Sequence, residues 1–364
     1  TTAAAVATMA ASTLGLKVLV VTVDPARRLA NAMGLERFGN VEVRVPDEAF
    51  TSVGIRPTGE LWAAMLDTKE SWDDLVRSHA PDAATRDAIL ANPLYTNISS
   101  KFVQSHDYVA MERLYELHSS GRFDLIVVDT PPTRNALDFL DAPERMADFF
   151  SSRLLRWLIA PSRSRVINLA SKPFYTVADR ILGSQFLSDI AEFFMLFQSM
   201  YDGFVERSQA VSRLLASADT SFVVVSTLEA AAAREARLFI AELDKRNYDV
   251  GALVLNKTLP AGLTDRAATV TAHDLAEHGA ARAEVLAERL GVGEDGRVPL
   301  GRMLPELGEN FLRFQLVAGR EAEERDRLTA DAAVVASVPY FAEDITDIAG
   351  LVRLGRQLWD DSER

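Results

Sequence analysis

Lys17-Val-Leu-Val-Val-Thr-Val-Asp24-Pro25 is the stretch of sequence that decides the fold of this chain. A second apolar run, Phe123-Asp-Leu-Ile-Val-Val-Asp129, also ends in an acid. Continuous β-branched runs are typical of parallel strands that helices cover on both faces. Ligands of such sheets bind beyond the carboxyl ends of the strands. The sequence therefore predicts an α/β protein with a doubly wound, mostly parallel sheet that carries Asp24 and Asp129 at its ligand-binding edge.

The rest of the chain continues this alternation of strands and helices, with one interruption. Predicted strands cover 17–23, 123–129, 221–227, 250–256 and 332–338, and predicted helices cover 2–13, 27–33, 60–79, 107–120, 229–246, 265–328 and 343–359. Between 142 and 218 helical patterns replace the strand signals. We expect an α/β core made of 1–141 and 219–364, interrupted by a helical insertion over 142–218.

The insertion contains an aromatic stripe with helical spacing. Its members are Phe186, Ile190, Phe193, Phe197, Tyr201 and Phe204. A buried core is the favoured interpretation of such a stripe. A groove for an apolar client or a membrane partner is the alternative, because Met195 and Met200 lie among the aromatic residues.

Composition excludes several kinds of site. The 364 residues include no cysteine, which excludes disulfides, thiolate metal ligands and cysteine nucleophiles, and fits a cytoplasmic protein. The formal net charge of -13 disfavours nucleic acid as a partner, since phosphate neutralisation needs surplus lysine and arginine. No apolar run approaches the roughly 18 residues that span a bilayer.

The chain begins with Thr1-Thr2-Ala-Ala-Ala at the head of a predicted helix. Followed by a strand that ends in Asp-Pro, this segment looks like the tail of Gly-Lys-Thr-Thr, a loop that binds phosphates through backbone N–H groups and a helix N-terminus. Thr1 would then be a Mg²⁺ ligand and Thr2 would contact a neighbouring phosphate, with the rest of the phosphate loop missing from the sequence. The same residues also fit an ordinary helix start, because threonine is a common N-cap.

The two strand-end acids each have two interpretations. Asp24 followed by Pro25 is a good helix start, and it is also placed to orient the water that attacks a γ-phosphate. These two roles are compatible. Asp129 precedes Thr130-Pro131-Pro132-Thr133, which suits an acid on the metal side followed by a loop that senses phosphate. The alternative is a strand-end acid that faces water.

Asn256-Lys257-Thr258-Leu259 ends another apolar run. The Asn256 amide can bind a purine edge, because it carries both donors and an acceptor. In GTPases an aspartate usually stands three positions after this asparagine to accept from guanine, whereas here the position is Leu259. Adenine is therefore the better prediction, and a simple strand terminator is the alternative.

Taken in order, these motifs resemble the anion-transporting ATPase family, which includes the arsenite-pump ATPase and the ATPase that targets tail-anchored membrane proteins. The ordered set is Thr1-Thr-Ala-Ala-Ala, Thr22-Val-Asp24-Pro, Asp129-Thr-Pro-Pro-Thr133, Thr227-Leu-Glu229, Asn256-Lys257 and Ser337-Val-Pro339-Tyr. The resemblance implies a SIMIBI-type P-loop fold that binds ATP and Mg²⁺, commonly as a homodimer or a heterodimer with a paralogue.

Several roles follow from the resemblance alone. Thr1 and Thr2 would finish the phosphate loop, Asp24 would position the hydrolytic water, and Asp129 to Thr133 would form a switch. Asn256 would bind adenine, and the loop around Pro339 would pack on the base. The insertion would be the client-binding subdomain.

The chain also departs from the family pattern. Without cysteines, a metalloid site and a zinc-bridged dimer are both disfavoured, and the cysteine-free bacterial branch is the nearest fit. The switch continues as Arg134-Asn135, without the family's glycine and histidine.

We therefore expect an ATP hydrolase that couples its nucleotide state to a partner, a client protein or an anion transporter. The alternative is a client-binding or scaffold protein with a degenerate nucleotide site that does not hydrolyse ATP. A chromosome-partitioning type of ATPase is disfavoured by the acidic charge and the long helical insertion.

Overall fold

The fold is described from a computed structural model that covers residues 1–23, 28–35, 39–66, 68–93, 95–96, 103–130, 133–151, 193–196, 200–330 and 334–362. The chain divides into two compact units, Thr1–Ser221 with Ile345–Gly355 and Phe222–Asp344 with Arg356–Arg364. Each unit contains parallel strands and helices, which confirms the predicted α/β class. The described strands lie in two sheets, one formed in each part of the chain, rather than in the single sheet that the sequence suggested.

The first unit is built around a four-stranded sheet. Its strands are β1 (Lys17–Thr22), β2 (Val43–Arg44), β3 (Glu60–Met65) and β4 (Leu125–Asp129). Their spatial order is β2-β3-β1-β4, with β1 parallel to both of its neighbours and β2 antiparallel to β3. The side chains from Val18 to Val21 are fully buried. This central position explains why the sequence of β1 is continuously apolar.

The helix predicted over 60–79 was wrong in its first part. Residues Glu60–Met65 form β3, and the helix begins only at Thr68. Leucine, alanine and methionine are good helix formers, so local propensity favours a helix here. The strand forms because it pairs with β1 along its whole length and buries Leu61, Ala63 and Ala64. Tertiary pairing therefore overrides propensity.

The first unit also contains helices, several of which pack on one another. They are α1 (Thr2–Thr13), α2 (Arg28–Ala32), α3 (Asp47–Thr51), α4 (Thr68–His79), α5 (Ala83–Ala91), α6 (Val103–Ser119), α7 (Thr133–Ser151) and α8 (Tyr201–Leu215). Helix α1 contacts β1, β3 and β4. Its buried residues are mostly alanines, whose small side chains allow the helix to approach the sheet closely.

An aromatic core joins the helices of the first unit. Trp72, Tyr108, Phe193 and Phe204 are buried together. Burial of Phe193 and Phe204 confirms the core interpretation at these positions of the stripe, whereas Met195 is exposed. Residues 152–192 and 197–199 lie outside the described part, so the helical insertion as a whole stays a prediction. The remaining stripe positions fall there or have undescribed side chains: Phe186, Ile190, Phe197 and Tyr201.

The second unit contains a parallel three-stranded sheet. Its strands lie in the order β5 (Phe222–Ser226), β6 (Val250–Thr258) and β7 (Val335–Pro339). Its helices are α9 (Ala230–Lys245), α10 (Arg266–Leu290) and α11 (Glu294–Thr329). The residues of α12 (Ile348–Ser362) are divided between the two units. The helical prediction over 265–328 is confirmed, with a break at Gly291, which takes the left-handed conformation that ends many helices. Within the described residues, no helix combines the length and the apolar character needed to cross a bilayer.

Candidate functional site

Two predicted site residues from distant parts of the sequence lie side by side in the first unit. The amino-terminal nitrogen of Thr1 is 3.7 Å from Oδ2 of Asp129. Thr1 is the N-cap of α1, and its carbonyl oxygen accepts a hydrogen bond from the backbone N–H of Ala5 at 3.0 Å. Asp129 ends β4, and its side chain is 37% exposed. A solvent-accessible carboxylate therefore stands at the positively polarised end of a helix.

Strand pairing places the start of the segment that contains Asp24 at the same edge. Thr22 is the register partner of Asp129, and the backbone N–H of Val23 donates to the Asp129 carbonyl oxygen at 3.4 Å. Asp24 follows Val23 directly in the sequence, but residues 24–27 lie outside the described part. The structure therefore fixes the chain up to the residue before Asp24, and the role of its carboxylate stays a prediction.

The predicted switch begins at this edge as well. Thr130 follows Asp129 and is exposed. Thr133 is the first residue of α7, although its side chain is not described. Pro131 and Pro132, between these two residues, lie outside the described part. A short connection therefore joins the Asp129 carboxylate to the start of a long helix.

The second unit brings together the two residues predicted for base binding. Thr258, two residues after Asn256, is the register partner of Pro339. The Thr258 hydroxyl donates to the Val338 carbonyl oxygen at 3.2 Å, and the backbone N–H of Tyr340 donates to the Thr258 carbonyl oxygen at 3.2 Å. Asn256 and Pro339 thus lie at the carboxyl ends of adjacent parallel strands.

The backbone at Asn256 is irregular. The pairing of β6 with β7 shifts register between Leu255 and Thr258, and Lys257 has a positive φ of 58°. The Asn256 Oδ1 accepts a hydrogen bond from the backbone N–H of Lys257 at 3.0 Å. The side-chain oxygen is therefore held against the backbone, which orients the amide. Positive φ in a residue with a side chain is uncommon and often marks functional sites.

Sequence reasoning missed one residue at this end of the sheet. Tyr340 follows Pro339 and is 68% exposed, so its ring is available to a ligand. An aromatic ring beside an oriented amide suits a flat heterocyclic base, which could stack on the ring and bind the amide. The signal that could have identified it is its place directly after Pro339 in Ser337-Val-Pro339-Tyr.

The candidate site residues therefore form two groups, one in each unit. The group in the first unit, with Thr1 and Asp129, combines a helix N-terminus and an oxygen ligand, which are features of sites for phosphate and Mg²⁺. The group in the second unit, with Asn256, Pro339 and Tyr340, provides an amide and an aromatic surface, which suit a base.

Comparison with known proteins identifies a family for this chain. The sequence profile described as anion-transporting ATPase matches residues 1–278. That range contains Thr1, Asp24, Asp129 and Asn256, whereas Pro339 lies beyond it. No protein with a curated description matches the chain. Because the match covers more than half of the sequence, the chain belongs to the anion-transporting ATPase family, a family of ATP-driven proteins.

Proposed function

We propose that this protein hydrolyses Mg-ATP and uses the nucleotide state to control a partner. The observation that carries the proposal is the position of Thr1 beside Asp129, at 3.7 Å, where α1 begins and β4 ends. Phosphoryl transfer depends mainly on positioning and on charge stabilisation. A helix N-terminus next to a carboxylate at the carboxyl edge of parallel strands supplies both kinds of group in one place.

The donor set fits magnesium. Mg²⁺ prefers oxygen ligands and is usually held by one or two carboxylates or hydroxyls together with substrate phosphates. The Thr1 hydroxyl and the Asp129 carboxylate would hold the ion, and both side chains are more than one-third exposed. When bound, the ion would neutralise charge on the phosphates. Asp24, one residue beyond the hydrogen bond between Val23 and Asp129, would orient the attacking water.

The base would be adenine. Adenine offers both a donor and an acceptor to an amide, and Asn256 is oriented by its hydrogen bond to Lys257. Pro339 and Tyr340, at the end of the neighbouring strand, would pack against the faces of the base. Leu259 occupies the position where a guanine-binding protein would need an acceptor.

The coupling to a partner would run through α7. This helix starts at Thr133, at the end of the predicted switch, and reaches Ser151, inside the predicted insertion. It packs against α6 and α8. A movement of the switch would therefore shift a continuous helix that leads into residues 142–218, where an apolar client, a membrane partner or an anion transporter would bind. The working form would be a homodimer or a heterodimer with a paralogue.

Phosphate release by the full-length protein tests the proposal. Asp129→Asn and Asp24→Asn should each lower the ATPase rate by about 10²-fold or more, because each removes a charge aimed at the reaction. Asp124→Asn is the matched control. Asp124 precedes β4 at the opposite end from Asp129, and its Oδ2 accepts a hydrogen bond from the backbone N–H of Lys17 at 2.8 Å, which an asparagine oxygen can also accept. Its activity should stay near that of the wild type.

Calorimetric titration with ATP and GTP measures nucleotide binding separately from hydrolysis. Asn256→Ala should weaken ATP binding about tenfold or more, as expected for loss of a base contact, and should lower the thermal stability only slightly through the lost hydrogen bond to Lys257. ATP binding without hydrolysis would support the alternative of a client-binding protein with a degenerate nucleotide site. If the wild-type protein bound no nucleotide, or if Asp129→Asn were fully active, the proposal would be wrong.

A further inference from the structure

Helix α11 carries an exposed apolar stripe with the spacing of a coiled coil. Met303, Leu307, Phe314 and Val317 are between 47% and 55% exposed. Steps of three and four residues connect the full set, which is Leu300, Met303, Leu307, Asn310, Phe314 and Val317. This is the alternation of a and d positions in a heptad repeat. Scattered apolar side chains are normal on a surface, but a continuous stripe indicates a binding face.

The stripe is separate from the contact between α10 and α11. That contact is made by small residues at close approach: a Cβ added to Gly279 would lie 2.7 Å from Cδ of Pro305, and one added to Gly308 would lie 2.5 Å from the carbonyl oxygen of Ala272. Gln315 also faces α10, since its amide donates to the Thr269 hydroxyl at 2.6 Å. The stripe therefore lies on a different side of α11.

The stripe ends where α11 contacts the rest of its unit. Glu321 occupies the next a position, and its carboxylate accepts a hydrogen bond from the backbone N–H of Leu259 at 3.2 Å. One turn later Glu324 forms an ion pair with Arg237 of α9 at 2.8 Å. The apolar positions lie on the preceding turns of the hairpin. Helix α10 has 25 residues, which makes the hairpin about 37 Å long.

The charges beside the stripe indicate which helix can cover it. Glu306 and Arg313 each precede an a position, so they occupy successive g positions of the heptad. In an antiparallel pair of helices, g positions face each other across the seam. When Met303 faces Phe314 of a second copy, Leu300 faces Val317 and Glu306 faces Arg313. Because the pairing has two-fold symmetry, the charge pair forms twice.

A parallel pairing in register does not use these charges. In a parallel pair, each g position faces an e position five residues further along, so Glu306 would meet Phe311 and Arg313 would meet Ala318. The antiparallel register also places Asn310 against Leu307 near the two-fold axis. A single polar residue in an apolar seam fixes register at a cost in stability.

We propose that α11 pairs antiparallel with α11 of a second copy of this chain, through Leu300, Met303, Leu307, Phe314 and Val317 and two Glu306–Arg313 ion pairs. The interface lies on the helical hairpin and uses none of the residues assigned to ATP. It therefore adds a specific dimer contact to the proposed function and does not depend on it.

Sedimentation of the full-length protein, without nucleotide, at about 1 to 100 µM tests the contact. The wild type should dimerise with increasing concentration, and Leu307→Glu should weaken the dimer at least tenfold. Leu316→Glu is the matched control, because Leu316 is equally apolar, is 70% exposed and lies outside the a and d positions of the heptad. Circular dichroism should show that both variants are folded. A monomeric wild type, or a dimer unaffected by Leu307→Glu, would overturn the proposal.

Charge exchange tests the direction of pairing. Glu306→Arg and Arg313→Glu should each weaken the dimer several-fold, because each places like charges opposite one another twice. The combination of the two substitutions should restore the wild-type dissociation constant, because it only reverses the sign of both pairs. A combined variant as weak as the sum of the single ones would contradict the antiparallel register.

Cross-linking fixes the register, and the absence of native cysteines gives a clean background. A mixture of Met303→Cys and Phe314→Cys proteins should form a covalent heterodimer with a short bis-maleimide. Either variant alone should cross-link far less, since the two copies of one position lie several turns apart. Efficient cross-linking of Met303→Cys with itself would show a parallel pairing and refute the proposal. Leu316→Cys serves as the control for random collision.

Discussion

A buried ion pair in the first unit permits a quantitative test of how its helices are held together. Glu112 of α6 is 1% exposed, and its Oε1 is paired with Nε of Arg207 in α8, whose side chain is 18% exposed. The Arg207 guanidinium also lies over the Phe204 ring, 5.2 Å from its centroid. Burial raises the pKa of Glu112, and the charge of Arg207 opposes that increase. Arg207 thus stabilises a carboxylate that burial alone would disfavour.

Arg207→Met is the informative substitution, because methionine keeps much of the apolar stem that packs on Phe204 while it removes the positive charge. Loss of one partner from a buried ion pair costs about 3–5 kcal/mol, since the remaining charge is uncompensated. Arg207 is partly exposed, so we expect the lower end, about 3 kcal/mol. A domain is typically stable by about 5–15 kcal/mol, so this substitution should strongly destabilise the first unit.

The loss should depend on pH in a defined direction. Without Arg207, the pKa of Glu112 in the folded state rises further above its value in the unfolded chain. A carboxyl group with a raised pKa binds protons more readily when folded, so stability is greatest at low pH and falls as pH rises through the folded-state pKa. The free energy of unfolding lost in Arg207→Met, relative to the wild type, should therefore be larger at about pH 8 than at about pH 5.

Urea unfolding, followed by tryptophan fluorescence and circular dichroism, measures these differences. Adding Glu112→Gln to Arg207→Met should recover much of the loss, because it removes the unpaired charge. Glu116→Gln is the control: Glu116 lies one turn further along α6, is 36% exposed and pairs with Arg113 at 2.9 Å, so its loss should cost less than about 1 kcal/mol. A cost below about 1 kcal/mol for Arg207→Met, or no recovery with Glu112→Gln, would refute the reasoning.

Two further predictions concern local charge and local packing. Burial, together with the nearby charge of Asp138, raises the pKa of Asp107 to about 6. Above that pH the folded protein carries an unfavourable charge, so Asp107→Asn should increase the free energy of unfolding by about 1 kcal/mol, a value already reduced for solvent screening. Near pH 4 the substitution should have little effect. Melting temperatures across this range would show it, and equal effects at both pH values would contradict it. Gly308→Ala should cost about 1–3 kcal/mol because its Cβ would press on the Ala272 backbone, whereas Gly301→Ala, with nothing within 4 Å, should gain up to about 1 kcal/mol. Equal urea midpoints for these two variants would show that the hairpin is packed more loosely than described.

The elements that sequence reasoning identified correctly are those in which local pattern and tertiary position agree. Helix α1 is alanine-rich, and its predicted bounds match the structure. Strands β1 and β4 are continuously apolar and β-branched, which suits their parallel pairing. Strand β3 was missed because Glu60–Met65 contains helix-forming residues, and its pairing with β1 and β2 makes it a strand. Strand pairing of this kind depends on residues that are distant in the sequence, so a local pattern does not predict it.

The candidate site shows the same limit. The rule that ligands bind at the carboxyl ends of parallel strands was sufficient to select Asp129 and Asn256, and the structure places Thr1 beside the first of these. The sequence did not reveal that Lys257 takes a positive φ and holds the Asn256 amide. That geometry coincides with the register shift between β6 and β7, which no local pattern encodes.

The ion pair between Glu112 and Arg207 was also beyond sequence reasoning, because its partners are 95 residues apart. Its position nevertheless connects it with the candidate site. Helix α6 ends at Ser119, shortly before β4, which carries Asp129, and both α6 and α8 pack against α7, which begins at the end of the predicted switch. The pair thus ties together the two helices on which α7 rests. If α7 transmits nucleotide state, a loosened pair should weaken the coupling between ATP and partner before it affects the site itself, because Thr1 and Asp129 are held by α1 and the sheet.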